Sequence, residues 1–160
     1  MSHAATIVLL LSGTLVLSSC AESFHQLQRE ADRLGIPPEL AQEIDESVAF
    51  TDLQASADQY VGRIVSIGGI VLTAKRTKER TEIEILQLPS KQGEPSTKDR
   101  IRSEGRFLAV RQEFLDPASV PAGTPITIIG AVMGSTQRLL DESEYTYPLL
   151  EIKHLIDWTT

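Results

Sequence analysis

Residues 63–72 read Arg63-Ile64-Val65-Ser66-Ile67-Gly68-Gly69-Ile70-Val71-Leu72, and residues 80–88 read Arg80-Thr81-Glu82-Ile83-Glu84-Ile85-Leu86-Gln87-Leu88. The first run is dense in β-branched residues and broken by a glycine pair, which predicts a strand with a bulge or a sharp barrel bend at Gly68-Gly69. The second alternates, so it predicts a half-buried strand with Ile83 and Ile85 inside and Glu82 and Glu84 on a solvated outer face, salted by Arg80 or Arg106. Lys75-Arg76-Thr77-Lys78 lies between the two runs and reads as a hairpin tip.

Working outward, Val48 to Leu53 is a further short β-like run, and Ser56-Ala57-Asp58-Gln59-Tyr60 reads as one helical turn with Ser56 as N-cap. Pro89 to Ser103 is polar, carries Gly93 and Pro95, and reads as a long surface loop. Strand signals resume at Gly105 to Val110, and Phe114-Leu115-Asp116-Pro117 ends in a turn. Arg106 is expected to bridge to Asp116 or Glu113. Pro125 to Met133 is the most apolar run, and Tyr145 to Ile152 and Leu155 to Trp158 close the series. Five or six short strands in about 110 residues leave apolar edges exposed unless the sheet closes on itself. The expectation is an all-β fold, a small antiparallel β-barrel of OB-like type, preceded by a helical or flexible N-terminal spacer.

That spacer has a composition of its own. The chain has 160 residues and a formal net charge of -7. Residues 21–58 hold nine acids against Arg29 and Arg33, which is the whole of that charge, while 59–160 is neutral with 13 acidic and 13 basic residues. Phe24, Leu27, Ala31 and Leu34 fall at helical spacing, with Gly35 as the stop and Pro37-Pro38 beyond it, and Glu39 to Glu46 is a second helical run. Such acidity opposes binding to nucleic acid through bulk positive charge.

Ahead of the spacer, residues 7–17 form an apolar run of 11 residues, about half of the ~20 needed to span a bilayer, followed by Ser18, Ser19 and the single cysteine, Cys20. That length suits the hydrophobic region of a secretory signal. Leu17-Ser18-Ser19-Cys20 resembles the lipobox of bacterial lipoproteins, in which the thiol receives a diacylglyceryl group and becomes the new N-terminus. The resemblance implies membrane lipid as partner through acylated (palmitate-type) Cys20, and Ala21 in place of an aspartate implies the outer membrane. Two or three acyl chains, at about 0.8 kcal/mol per buried CH₂, anchor a protein stably. The expected organisation is a signal peptide at 1–19, a lipid-anchored acidic spacer at 20–46 and the barrel domain at 47–160.

In the domain, Tyr60-Val61-Gly62, Gly68-Gly69, the Thr81 to Pro89 run, Gly105-Arg106-Phe107, Phe114 to Pro117, Gly123, Thr127-Ile128-Ile129-Gly130, Gly134, Tyr147-Pro148 and Trp158 occur in an order that resembles the Slp family of starvation-inducible outer-membrane lipoproteins. The resemblance covers nearly all of 47–160. It implies a lipid-anchored stress protein of the outer membrane with no established enzymatic activity, and the expectation is a non-enzymatic binding or envelope-maintenance protein facing the periplasm.

Chemical motifs are sparse. After cleavage His25 and His154 stand 129 positions apart with no further ligand at metal spacing, so neither a metal nor another cofactor is expected. No Gly-x-Ser-x-Gly elbow and no phosphate-cradling glycine loop is present. The best candidate surface is the basic set Lys75, Arg76, Lys78 and Arg80, which suits lipid phosphates or another anionic surface; without interleaved aromatics it does not suit nucleic acid. The bland alternative is a solvated hairpin tip that discourages edge pairing. Two other readings stay open: an envelope hydrolase using carboxylates between Glu82 and Glu104, and a structural scaffold for another envelope protein, with an exposed apolar face.

Overall fold

The structure, a computed structural model, describes residues 28–159. Cys20, the apolar run before it, and Phe24 and Leu27 of the first helical stripe lie outside the described residues. The described residues fall into two compact units, divided between Pro38 and Glu39. In the first, residues 28–33 are helical and the helix ends at the glycine that its sequence marks as the stop. Gly35 takes φ +64, its N–H donates to the Asp32 carbonyl, and the Ile36 N–H donates to the Ala31 carbonyl. Two carbonyls that would otherwise be orphaned are thereby satisfied.

The second unit is built on β1 (Ile64–Arg76), β2 (Thr81–Gln87), a ribbon of β3 (Ser90–Lys91) and β4 (Glu94–Pro95), then β5 (Arg106–Arg111), β6 (Pro125–Leu140) and β7 (Ser143–Asp157). Five of these strands close a barrel in the order β1-β2-β5-β7-β6. Counting barrel strands alone, the order is 1-2-3-5-4, and all pairs are antiparallel except β5 with β7. This is OB connectivity, as the sequence predicts.

β1 makes closure possible because it serves two neighbours. Residues 64–70 pair with β6 and 69–76 pair with β2, so Gly69 faces both Ile126 and Gln87. A Cβ there would lie 2.3 Å from the Leu86 carbonyl oxygen and 2.6 Å from an Ile85 methyl, so only glycine lets the strands come this close. The bend is where the glycine pair predicts it. The bulge is not: the register shifts between Val71 and Thr73, which leaves Leu72 as the extra residue.

The barrel interior holds Ile83, Ile85, Phe107, Ala109, Ile126, Ile128 and Leu150, all at most 0% exposed. Their alternation along β2 and β5 is the period-two signal read from the sequence. The run at 48–53, expected as a strand, is instead the start of a helix, Phe50–Ser56. The Asp52 carboxylate accepts the Ala49 N–H at 2.9 Å, and Phe50 and Leu53 fall on one buried helical face that Ala57 extends. Phe50 packs its ring 5.9 Å from that of Phe107. The turn at Ala57–Tyr60 follows as a 3₁₀ continuation, and Ser56 makes no side-chain cap there. The earlier run from Glu39 forms a shorter helix, Pro38–Glu43, after which Ile44 bridges to Ile64 and Arg63 donates to Asp45 at 2.9 Å.

Two further segments differ from expectation. The loop after Pro89 is ordered by the β3–β4 ribbon, whose Gly93 carbonyl accepts the Thr127 hydroxyl at 2.6 Å. The Trp158 indole N–H donates to that same hydroxyl oxygen at 3.0 Å, so the last aromatic holds the ribbon against β6. β6 and β7 run far beyond the predicted strands and form one long hairpin, Leu140 pairing Ser143 across Asp141-Glu142. The two runs expected at 145–152 and 155–158 are a single strand whose register shift near Gly130 absorbs the interruption.

Candidate functional site

The long hairpin brings residues of its distal half against the outer faces of β2 and β5. Glu82 and Glu84 point outward from β2, as the alternation predicts, but Glu82 is not solvated: its side chain is 5% exposed. The guanidinium of Arg138, from β6, donates through both terminal nitrogens to its two carboxylate oxygens, the Nη2–Oε2 bond being 2.8 Å. Lys75 Nζ and Arg80 Nη2 stand 3.5 Å from the same carboxylate. The bond from Arg138 holds the Glu82 carboxyl below the usual carboxylate range, with the other two cations adding to the effect against burial, which opposes it. Leu108 and Val110, the outward residues of β5, are also buried, at 2% and 3% exposure.

Two residues along the strand, Glu84 accepts from Arg106 at 2.8 Å and from the Tyr147 hydroxyl at 3.2 Å. Burial, and then the neighbouring Glu84 carboxylate, push the Tyr147 phenol up, so it stays a donor. Tyr145 stacks edge-on against Tyr147 with ring centres 4.6 Å apart and accepts the Arg106 backbone N–H at 2.8 Å. Arg106 therefore pairs with Glu84 and not with Asp116 or Glu113, the partners expected of it. Asp116 caps the 3₁₀ turn Pro117–Ser119 by accepting the Ala118 N–H at 2.9 Å, and Glu113 faces Arg111 at 3.5 Å. Of the partners expected for the outer carboxylates, Arg80 and Arg106 are present; Arg138 and Tyr147 could not be read from a sequence in which they stand 56 and 63 positions away.

The basic set lies at the β1–β2 tip and divides. Arg76 turns away: its Nη1 donates to the Gln112 and Glu113 carbonyls at 3.2 and 3.3 Å, and its guanidinium carbon lies 5.9 Å from the centre of the Phe114 ring. Lys75, Lys78 and Arg80 stay together around an open depression of about 520 Å³, lined also by Thr77, Glu79, Glu82 and Arg138. Four cations meet two carboxylates there.

This arrangement binds charge better than it moves protons. A carboxyl held ionised by three cations is a poor general acid, which requires a raised affinity for its proton. Among the described residues no group of His, Cys, Asp and Glu is arranged to hold a metal ion, and no helix is long and apolar enough to cross a membrane. The exposed large apolar side chains among them, Val61, Ile101, Phe114, Met133 and Leu139, come from separate segments.

Comparison with known proteins gives the chain its relatives. It is 26% identical over 97 residues to an uncharacterized protein of Haemophilus influenzae, covering 61% of this chain and 52% of that one. It is 26% identical over 99 residues to the uncharacterized lipoprotein YeaY of Escherichia coli, covering 62% and 50%. The chain thus spans about half the length of the curated relatives it matches. A small single-stranded DNA-binding protein from Streptomyces coelicolor superimposes with a TM-score of 0.41 at 11% identity, over 60% of this chain and 94% of that one. The family model of the outer membrane lipoprotein Slp family matches residues 31–160, and the chain belongs to that family.

Proposed function

We propose that this outer membrane lipoprotein is held by acyl chains on Cys20 at the periplasmic face of the membrane, with residues 20–46 as an acidic spacer, and acts there as a non-catalytic binding protein. Its ligands are anionic groups at the membrane surface, met by Lys75, Lys78 and Arg80, while Arg76 of the same basic set is held on the Gln112 and Glu113 carbonyls and on Phe114. One observation carries the binding role: Lys75, Arg80 and Arg138 converge on a single carboxylate, so the β1–β2 tip keeps positive charge that the protein does not neutralise. The signal-like run and the Leu17-Ser18-Ser19-Cys20 sequence support the anchor. Repulsion between the acidic spacer and anionic headgroups favours a barrel that stands off the surface with its basic tip free to turn towards ligand.

Two measurements test the reading. Cys20→Ser should leave an unlipidated precursor, and mature-sized protein still pelleting with membranes would rule out the anchor. Lys78→Glu, at a position with no role in the packing described above, should weaken association of the barrel with vesicles rich in anionic lipid. Equal association of the parent and the variant would remove the basic tip from the proposal.

A further inference from the structure

The depression at the β1–β2 tip has a more specific shape than a charged surface. Three of its cations crowd one carboxylate, but only Arg138 is fully committed to it, through its paired hydrogen bonds. Lys75 and Arg80 approach Glu82 only to 3.5 Å, beyond a good charge-assisted bond, and their side chains are 63% and 35% exposed. Both therefore have donors to spare, and the Lys78 ammonium and the Thr77 hydroxyl line the same space. Arg138 reaches this place from a strand distant in sequence and adds a fourth cation to the open depression.

We propose that this depression is a binding site for one phosphate group, held by Lys75, Lys78 and Arg80 above the Glu82–Arg138 pair, which fixes the cations in place and takes no part in contact. The proposal rests on the anion-binding reading given above and narrows it. Arg76 is excluded, because its guanidinium is spent on carbonyls and on Phe114. A phosphate carries more charge than a carboxylate and has a third free acceptor oxygen, so it engages more of the converging donors at once. The charge balance of the lining residues, four basic against two acidic, leaves room for one such dianion.

The test uses the full lipidated chain in non-ionic detergent, with selective amine labelling of Lys78 as the readout. Inorganic phosphate should protect Lys78 from labelling in a saturable way, and acetate at the same ionic strength should not. Lys78→Glu should weaken phosphate binding, followed by calorimetry, by about tenfold, and Lys78→Gln by about threefold. Lys78 protection by acetate equal to that by phosphate would overturn the phosphate site while leaving a general anionic surface intact. No protection by either ion, or equal calorimetric affinity in Lys78→Glu, would overturn the site outright. The source is separated by reconstitution into phosphatidylcholine vesicles with and without phosphatidic acid. With no phosphate added, protection by the phosphatidic acid vesicles and none by phosphatidylcholine alone assigns a lipid headgroup, and protection by soluble phosphate alone assigns a free phosphate compound. Loss of Cys20 anchorage reads out separately, as failure to enter the vesicles at all.

Discussion

Glu82→Gln tests the hub that joins the long hairpin to the barrel. The substitution keeps size and shape and removes one charge, leaving Lys75, Arg80 and Arg138 facing an amide. Removing one partner of a buried ion pair costs about 3–5 kcal/mol when the remaining charge stays dry. Here the three cations are 63%, 35% and 35% exposed and recover water, so the loss falls towards that of charge-assisted hydrogen bonds, about 2 kcal/mol. At roughly 3–5 °C per kcal/mol for a unit of this size, the melting temperature should drop by about 6–10 °C. Circular dichroism melts at pH 7 measure this. Because the folded Glu82 carboxyl is held below the usual range of about 4.3, its contribution is complete above that value and is lost as pH falls through the lowered one. The gap between parent and variant should therefore close in acid. A variant that melts with the parent at pH 7, or a gap that persists unchanged at pH 3, would refute the claim that this carboxylate secures the hairpin.

Gly69→Ala places a methyl 2.3 Å from a backbone oxygen that cannot move without opening the β1–β2 pairing, so overpacking should cost about 3 kcal/mol or more and leave little folded protein by tryptophan fluorescence. Phe50→Ala should cost about 3–5 kcal/mol in urea unfolding, since its side chain is 5% exposed and packs on Phe107; a surface residue's cost of under ~0.5 kcal/mol would mean the helix is not part of the core. Arg106→Ala should lower stability by about 1 kcal/mol, because the pair with Glu84 is a third exposed on the arginine side, and Arg106→Lys should restore only part of it.

The barrel was legible in the sequence wherever one face of a strand is apolar. Ile83 and Ile85 declare β2, and the glycine pair declares the bend of β1. What failed to show were features held by distant partners. The helix at Phe50 was hidden because Val48, Ala49 and Phe50 carry β-like propensity, and a helical face of Phe50, Leu53 and Ala57 means little until Phe107 is beside it. The extension of β6 and β7 was hidden because residues 134–144 are polar but for Leu139-Leu140 and turn at Asp141-Glu142 without a glycine or asparagine; only pairing with each other makes them strands. The site was half legible for the same reason. Lys75, Lys78 and Arg80 announce themselves as a cluster, whereas Arg138, on a polar stretch 56 positions from Glu82, gains its meaning from the hairpin that carries it there.

The double pairing of β1 sets the order in which the barrel can be completed. Its partners in β2 lie within about twenty residues, but Ile64–Ile70 wait for Pro125–Ala131, some sixty residues later. Until then a meander of β1, β2 and β5 carries two open edges, one of them the apolar half of β1. Closure is thus the late, loop-limited event, and the expected folding time lies in the milliseconds-to-seconds range of barrels dominated by distant contacts. A chain entering the envelope N-terminus first would pass through that open-edged state every time it is made, which makes the β1 edge the place where chaperone protection matters most.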